Sequence, residues 1–249
     1  KFVSAYHSTS ISVESLDGTI SFSITDTNTI AGASLAIADL GNDGVSEIIV
    51  GNGMGLEPRV RVLRQDGSEV GSFLAYDAAL GVGIHVVACD LTGDGYNEIV
   101  TAPQRGGGPH IRVFDRMGNA IDDGGFFAYA EGMRAGVNLA CGNLDEDAAN
   151  ELVTLPAAGG GPHVRVWSWN TKAILDENFF AFHMDDRSGI VGVVHDRKLI
   201  LAQQFTSSPT IKTLVIHNAV STTSEEKISI DGLGVESLAI VNDELYLSP

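Results

Sequence analysis

One short stretch of the sequence, residues 90–98, places acidic and hydroxyl side chains at alternate positions around a central glycine. A hard cation such as Ca²⁺ takes roughly six to eight oxygen ligands, and a tight loop can bring them together. Gly95, at the sixth position, can adopt the positive φ that turns such a loop back on itself. The stretch therefore predicts a Ca²⁺ site. The candidate ligands are oxygen atoms of Asp90, Thr92, Asp94, Tyr96 (through its carbonyl) and Glu98.

Two further stretches repeat the pattern, 51 residues earlier at 39–47 and 53 residues later at 143–151. The earlier copy has Gly41 at the third position, where a water could complete the shell, and the later copy has Ala148 where glycine is favoured. We expect two Ca²⁺ ions, at 39–47 and 90–98, and a third if the weaker ligand set at 143–151 also binds one. The candidate ligands are Asp39, Asp43, Val45 (carbonyl) and Glu47 in the earlier copy, and Asn143, Asp145, Asp147 and Glu151 in the later one.

The alternative for all three stretches is an Asx turn, in which aspartate accepts hydrogen bonds from backbone N–H groups without a metal. Such turns seldom gather several acids, and clustered carboxylates raise one another's pKa unless a cation is present. The sequence therefore favours metal. A fully wrapped Ca²⁺ has no open position for a substrate, so we expect its role to be structural.

Strand-like apolar runs flank each acidic loop, so the loops join β-strands and not helices. A period near 50 residues indicates a repeat architecture. Each repeat holds four strand-like pieces, and four-stranded antiparallel sheets repeated radially make a β-propeller. The expected fourth pieces are 72–76, 126–129 and 179–182, with a weaker one at 227–230.

The two ends of the chain carry complementary halves of one repeat. Residues 11–24 read as a third and fourth strand, and residues 237–247 as a first and second. The predicted fold is therefore an all-β, five-bladed β-propeller of four-stranded antiparallel blades, closed by pairing of the N- and C-terminal strands. The alternative is a fragment of a larger, seven-bladed ring. The expected blades are 31–81, 82–133, 134–187, 188–231, and 232–249 together with 1–30.

Composition excludes several classes of function. The net charge of −17 would repel the phosphates of nucleic acid and argues against docking onto anionic lipid. No stretch is long and apolar enough to cross a membrane as a helix, and no signal-peptide pattern opens the sequence.

The two cysteines, Cys89 and Cys141, are offset by one position in the repeat, since Cys89 aligns with Gly142. Successive side chains of a strand point to opposite faces. We therefore expect two buried free thiols and no disulfide.

Several other residues recur with the repeat. Arg61, Arg112 and Arg165 occupy one place in the third strands; they suit either a basic ligand site or, as the repetition favours, a structural contact with a neighbouring carbonyl or carboxylate. The unrepeated pair Trp167 and Trp169 suits either sugar stacking or burial.

Loops at the end of the sheets opposite to the acidic loops are the expected recognition surface, because function commonly lies in loops on a rigid scaffold. The triple glycines before two histidines are not a phosphate-binding loop, since neither a lysine nor a helix follows. A transition metal shared by the two histidines would lack a third ligand. The candidate ligand-binding residues are Met54, Arg105, His110, Glu131 and His163.

The acidic loop between two strands, followed by Thr101, Ala102 and Pro103, resembles the FG-GAP repeat of integrin-type propellers. The stretches 106–115 and 126–129 resemble the VCBS-type repeats of bacterial surface proteins. The resemblance covers about residues 31–182. It implies a calcium-stabilised propeller, usually extracellular and used for adhesion or ligand recognition.

The expected function is therefore a non-enzymatic, calcium-stabilised recognition or adhesion domain outside the cell or on its surface. Its partner would be a protein, a glycan or neighbouring subunits of a surface filament or layer. One alternative is a glycan-processing enzyme, which needs two converging carboxylates, whereas the acids here are concentrated in the cation loops. The other is a purely architectural module.

Overall fold

The computed structural model describes twelve ranges of the chain. They are residues 2–7, 10–15, 21–25, 33–121, 124–171, 173–174, 178–206, 208–216, 220–227, 235, 237–241 and 244–248. Apart from a 3-10 turn at Ala78–Leu80, every regular element in these ranges is a β-strand. No helix in the described part is long and apolar enough to span a membrane.

The strands form a terminal sheet at each end of the chain and four sheets between them, which we number 1 to 4. The N-terminal sheet is β1 (Phe2–His7), β2 (Ser10–Ser15) and β3 (Ser21–Thr25). Sheet 1 is β4 (Ala33–Ala38), β5 (Glu47–Asn52), β6 (Arg59–Leu63) and β7 (Glu69–Leu74). Sheet 2 is β8 (Ile84–Cys89), β9 (Glu98–Pro103), β10 (His110–Phe114) and β11 (Phe126–Phe127).

Sheet 3 is β12 (Val137–Gly142), β13 (Glu151–Pro156) and β14 (His163–Ser168), with β15 (Ala173–Ile174) and β16 (Phe179–Phe180) as two pieces that both pair with β14. Sheet 4 is β17 (Ile190–His195), β18 (Lys198–Gln203), β19 (Thr210–Ile216) and β20 (Val220–Lys227). The C-terminal sheet is β21 (Ser237–Val241) and β22 (Glu244–Ser248). All pairings are antiparallel, as predicted for sheets 1 to 4.

Neighbouring sheets pack face to face, and the first strand of each sheet contacts the first strand of the next. β4 lies against β8, β8 against β12, β12 against β17, and β17 against β21. The second strands are consequently covered on both faces, and every residue of β9 and of β13 is buried. This explains their continuous apolar runs, because a strand with no solvent-facing side loses the usual alternation.

Separate apolar cores fill the spaces between neighbouring sheets. Between sheets 2 and 3, Ile111 and Val113 from one sheet pack with Leu152 from the other, all three being almost fully buried. A core of the same kind lies between sheets 3 and 4 and includes Leu155 and Leu201. Each such side chain contributes about 1.5–3 kcal/mol on burial, so contact between successive sheets is the main source of stability in this part of the chain.

The expectation of two free thiols is wrong, because Cys89 and Cys141 form a disulfide between sheets 2 and 3. The one-residue offset is present in the register, since Cys89 faces Glu98 whereas Gly142 faces Glu151. Two side chains on opposite faces of the same sheet cannot meet. In stacked sheets, however, the front of one sheet meets the back of the next, so the offset brings these two side chains together.

Two tyrosines also join neighbouring sheets. The hydroxyl of Tyr76, which follows sheet 1, hydrogen-bonds the carbonyl oxygens of Thr101 (3.0 Å) and His110 (2.7 Å) in sheet 2. The hydroxyl of Tyr129 makes the same pair of contacts with sheet 3, to Thr154 (2.7 Å) and His163 (2.9 Å). Burial raises the pKa of Tyr129, which keeps the phenol neutral and able to donate.

Replacing Tyr129 by phenylalanine is expected to lower the free energy of unfolding by about 1–3 kcal/mol, because carbonyl oxygens between the sheets lose a donor. Urea unfolding of the variant measures this. Tyr76→Phe removes the same contact one sheet earlier and should have a cost of similar size. Unchanged stability in both variants would show that these hydroxyls do not hold the sheets together.

The recurring arginines are structural, as the repetition favours. Arg112 donates from Nη1 to the carbonyl oxygen of Ala75 (2.9 Å), and Arg165 to that of Ala128 (2.5 Å). Arg61 instead pairs with Glu69 at 2.9 Å. Each of the three thus makes the contact with a carbonyl or carboxylate that the repetition favours.

The tryptophan pair is also part of the core. Trp167 and Trp169 are 7% and 9% exposed, and Trp167 Nε1 donates to Thr154 Oγ1 at 3.0 Å. This arrangement favours burial over sugar stacking.

Three strand predictions at the ends of the repeat need correction. The fourth strand of sheet 4 ends at Lys227 and does not begin there, because a connection of only three residues follows β19 and fixes the register of the hairpin. The N-terminal sheet contains β1 as an additional strand. No pairing joins the terminal sheets among the described strands, and β1 occupies an edge of β2 that the predicted closure would use.

Candidate metal centre and the opposite face

The three acidic loops occupy the same place in sheets 1, 2 and 3, between the first and second strands. The strand pairs that close them have matching registers, with Ala38 opposite Glu47, Cys89 opposite Glu98, and Gly142 opposite Glu151. We call this end of the sheets the acidic face; it comprises residues 39–47, 90–98 and 143–151. The first residue of each second strand is thus a glutamate that points back into its own loop.

In the loop at 90–98, the carboxylate of Asp90 organises the backbone. Asp90 Oδ1 accepts from the N–H groups of Gly93 (2.7 Å) and Asp94 (3.2 Å), and Oδ2 accepts from that of Gly95 (2.7 Å). Gly95 has a φ of 89°, the left-handed turn expected at the sixth position. One carboxylate oxygen from each of Asp90, Asp94 and Glu98 lies within 4.8 Å of the other two, so three of the predicted side-chain ligands converge.

The loop at 143–151 converges in the same way, although its sequence departs more from the pattern. Oxygens of Asp145, Asp147 and Glu151 all lie within 4.8 Å of one another. Ala148 is not among the positive-φ residues of the described chain; the amide of Asn143 donates instead to the carbonyl oxygen of Asp147 at 2.6 Å. The side-chain Oδ1 of Asn143 is buried and has no hydrogen-bond partner, which leaves an oxygen ligand open at the first position.

The loop at 39–47 has the same backbone contacts without the convergence. Asp39 accepts from the N–H groups of Gly41 and Gly44, at 3.1 and 2.6 Å. Only the other two loops bring three carboxylates together in the described chain. A Cβ at Gly41 would lie 3.7 Å from Nη1 of Arg116, so a guanidinium already stands beside this loop. Among the described residues, the third loop thus brings three carboxylates together and the first loop does not.

The carbonyl ligands predicted from Val45 and Tyr96 fit their side-chain positions. Both side chains are exposed, at 53% and 47%, as expected of residues that would offer only a backbone oxygen. Thr92 lies close to the first-position carboxylate, with Oγ1 at 3.5 Å from Asp90 Oδ1.

Two glutamates have strongly altered acidity. Burial, with added repulsion from Asp94 and Asp90, raises the pKa of Glu98 to about 7. Burial raises the pKa of Glu151 to about 7 as well, with Asp145 and Asp147 as the repelling neighbours. Each glutamate accepts a hydrogen bond from its own loop at 2.8 Å, from the N–H of Leu91 or of Leu144. A cation among these groups would offset both the burial and the repulsion.

The loops are also joined to one another. The side-chain amide of Asn97 donates to the carbonyl oxygen of Asp39 at 2.8 Å, and the backbone N–H of Asn150 donates to that of Asp90 at 2.7 Å. Each donor occupies the eighth position of its loop, and each acceptor the first position of the preceding one. Order in one acidic loop is therefore transmitted directly to the next.

The predicted recognition residues lie at the other end of the sheets, which we call the opposite face; it comprises the loops 53–58, 104–109 and 157–162 and the segments 75–83, 128–136 and 181–189. Met54 is 48% exposed, and Arg105 and Glu131 are also exposed. His110 and His163 lie in sheets 2 and 3. Each stacks on a phenylalanine of its own sheet, Phe127 or Phe180, with ring centroids 4.8 and 5.0 Å apart.

Sequence reasoning missed four side chains on this face. They are Phe127 and Phe180, and Arg134 and Arg187, and the members of each pair are 53 residues apart. The repeat spacing itself was the signal that could have found them.

Comparison with known proteins places the fold. No protein-family model matches the chain, and no curated protein matches it in sequence. A protein of unknown function from Bacteroides caccae is similar in structure, with 12% identity, a TM-score of 0.62, and coverage of 99% of this chain and 81% of that one. The Dos1 propeller is 11% identical, with a TM-score of 0.58 and coverage of 99% and 71%.

A chain of the COPII outer coat vertex on membranes is also similar, with 13% identity, a TM-score of 0.60, and coverage of 99% of this chain and 64% of that one. At such identities the likeness concerns the fold alone. Together with the stacked four-stranded sheets, it defines the chain as a protein of the β-propeller class.

Proposed function

We propose that the chain is a non-enzymatic, calcium-stabilised recognition or adhesion propeller that acts outside the cell, of the FG-GAP or VCBS type. The observation that carries the proposal is the convergence of three carboxylate oxygens in each of two loops, at 90–98 and 143–151. Oxygen-only ligand sets of this kind suit Ca²⁺. The loops join strands of a rigid stack, so the bound ions would stabilise the scaffold that presents the opposite face.

Two further observations support the extracellular assignment and the ring. A disulfide links sheets 2 and 3, and disulfides persist mainly in oxidising compartments. β21 lies against β17, in the place that the first strand of a further sheet would take. We include in the proposal a ring of five units, in which the two terminal sheets together supply the fifth.

Calcium titration tests the proposal, and its pH dependence gives a sharp expected result. Glu98 and Glu151 have pKa values raised to about 7, so below that pH the calcium-free protein holds protons that Ca²⁺ must displace. The affinity is expected to rise with pH through this window and to level off above it. Isothermal titration should show roughly 25-fold tighter binding per site at about pH 7.5 than at about pH 5.5, with proton release at the lower pH.

The expected stoichiometry is two ions per chain, at 90–98 and 143–151. Mg²⁺ serves as the control, because it demands a smaller and more regular shell and should compete poorly. Absence of binding heat, or an affinity that does not change with pH, would sink the calcium assignment. The acidic loops would then be Asx turns only.

The enzyme alternative has one observation in its favour, a glutamate of raised pKa beside a second carboxylate, as in Glu98 and Asp94. Glycoside hydrolysis uses such a pair. However, Glu98 is only 6% exposed and one of its oxygens is held by the backbone, which leaves no approach for a sugar. Incubation with a panel of polysaccharides separates the two functions, since release of reducing ends would favour the enzyme.

A further inference from the structure

We infer that the opposite face carries two equivalent sites for the carboxylate-bearing sugar units of an acidic polysaccharide, one on sheet 2 and one on sheet 3. This inference rests on the proposed recognition function and names its ligand. The sites are built from an exposed aromatic ring, a guanidinium and a glycine beside the guanidinium.

The aromatic ring of each site is exposed and supported from one side. Phe127 and Phe180 are 44% and 57% exposed. Each lies directly across the strand pair from a histidine, His110 or His163, and stacks on it at an interplanar angle of 24°. A ring held in this way is a flat, ordered platform, so little side-chain freedom remains to be lost on binding. Aromatic faces of this kind suit the apolar face of a pyranose.

The guanidinium of each site is fixed in the same pose. Arg134 donates from Nη1 to the carbonyl oxygens of Glu131 (2.5 Å) and Met133 (2.8 Å). Arg187 donates from Nη1 to those of Met184 (2.8 Å) and Asp186 (2.6 Å). Nε and Nη2 of both side chains make no hydrogen bond with the described residues. The remaining N–H groups form the planar fork that binds a carboxylate in two places.

A glycine connects the ring to the guanidinium. A Cβ at Gly108 would lie 3.8 Å from Phe127 Cε1 and 3.8 Å from Nη1 of Arg134. In sheet 3, a Cβ at Gly161 would lie 3.8 Å from Nη1 of Arg187. Gly108 therefore lies between the ring and the guanidinium in sheet 2, and Gly161 borders the guanidinium in sheet 3. Sheet 1 has no such site, because Leu74 and Arg59 occupy the places of the ring and the histidine.

Charge favours a short acidic oligosaccharide over a long polyanion. The chain carries a net charge of −17, which repels a polyanion at long range, so binding must come from the short-range fork and ring. Two sites on neighbouring sheets suit a ligand with repeating units, since a second contact on one chain strengthens binding by raising the effective concentration. A uronic-acid oligosaccharide meets both requirements.

The two sites should differ in strength. The segment that holds the guanidinium has one carboxylate in sheet 2, Glu131, whereas the equivalent segment in sheet 3 has two, Asp185 and Asp186. A carboxylate beside the guanidinium repels an acidic ligand. The sheet 2 site is therefore expected to dominate binding.

The test uses a galacturonic-acid oligosaccharide and its neutral methyl ester as probes. Titration into calcium-loaded protein, freed of excess calcium, should show binding of the acid and not of the ester. Phe127→Ala should weaken binding about fivefold to tenfold, which corresponds to the usual worth of one aromatic contact. Phe180→Ala should weaken it less. Arg134→Lys, which keeps the charge and loses the fork, should also weaken it.

Leu74→Ala is the matched control, because it truncates the same position in sheet 1 and should leave binding unchanged. The calcium-dependent melting temperature of every variant is measured in parallel. Calcium stabilisation without uronate binding would overturn this inference and leave the calcium-dependent scaffold standing, whereas loss of both in the unaltered protein would overturn the proposed function itself. Equal binding of the neutral ester, or of an acidic peptide, would also contradict a uronate site.

Discussion

Removing calcium is expected to lower the melting temperature of the protein by roughly 10–20 °C. A site filled at about 100 times its Kd stabilises the folded state by about 2.7 kcal/mol, so two sites contribute about 5 kcal/mol. For a domain of this size, each kcal/mol moves the melting temperature by about 2–4 °C. Thermal unfolding in calcium and in excess chelator gives the difference.

Glu98→Gln provides the sharper form of this experiment. Glutamine keeps an oxygen that can accept from the N–H of Leu91, but it removes the charge that would bind the proposed ion and that repels Asp94 and Asp90. The variant should therefore be less stable than the unaltered protein in calcium, and equally or more stable in chelator. A variant that is destabilised equally in both conditions would show that Glu98 acts as a backbone acceptor and not as a metal ligand.

Glu47→Gln is the matched control. Glu47 holds the N–H of Leu40 at 3.0 Å, as Glu98 holds that of Leu91, but the carboxylates of its loop do not converge. Its substitution should leave the calcium-dependent shift nearly unchanged. A large loss of calcium stabilisation in this variant would mean that the loop at 39–47 binds an ion after all.

The sequence predicted the parts of the structure that depend on local chemistry. Ligand types at alternate positions, a glycine at the sixth position and a period near 50 residues were sufficient for the acidic loops and for four antiparallel sheets. Each strand pair closes its loop in the same register, and such repetition can be detected by comparing the chain with itself. The convergence of carboxylates in the third loop and not in the first could not be predicted, because the amide of Asn143 replaces a glycine turn through a contact with Asp147 that the ligand pattern does not encode.

Contacts between sheets were harder to predict, because they depend on which faces meet. A strand pattern gives the two faces of one sheet, but not the neighbour that each face will contact. The same limit applies to the opposite face, where Phe127 was not among the candidate ligand-binding residues although it is 44% exposed. To predict the exposure of such a residue, one must know whether its strand lies at the outer edge of a sheet or at its buried centre.

Removing the disulfide is expected to lower the free energy of unfolding by about 4 kcal/mol, because the bridge closes a chain segment of 52 residues and restricts the unfolded state. This corresponds to a fall of roughly 10 °C in melting temperature. The double variant Cys89→Ala with Cys141→Ala measures the loss by thermal and urea unfolding. Unaltered protein refolded under reducing conditions is the control, since it keeps both side-chain volumes and should show a similar loss.

The two cysteines of the disulfide lie next to the first residues of two acidic loops. Cys89 directly precedes Asp90, and Cys141 lies two residues before Asn143, while the N–H of Asn150 donates to the carbonyl oxygen of Asp90 between the same two loops. A crosslink at this place fixes two acidic loops relative to each other, so it should lower the ordering cost of calcium binding. Calcium should therefore stabilise the double variant less than it stabilises the intact protein. If calcium stabilises the double variant as much as it stabilises the intact protein, the disulfide acts on the unfolded chain alone. The loops are then ordered without it.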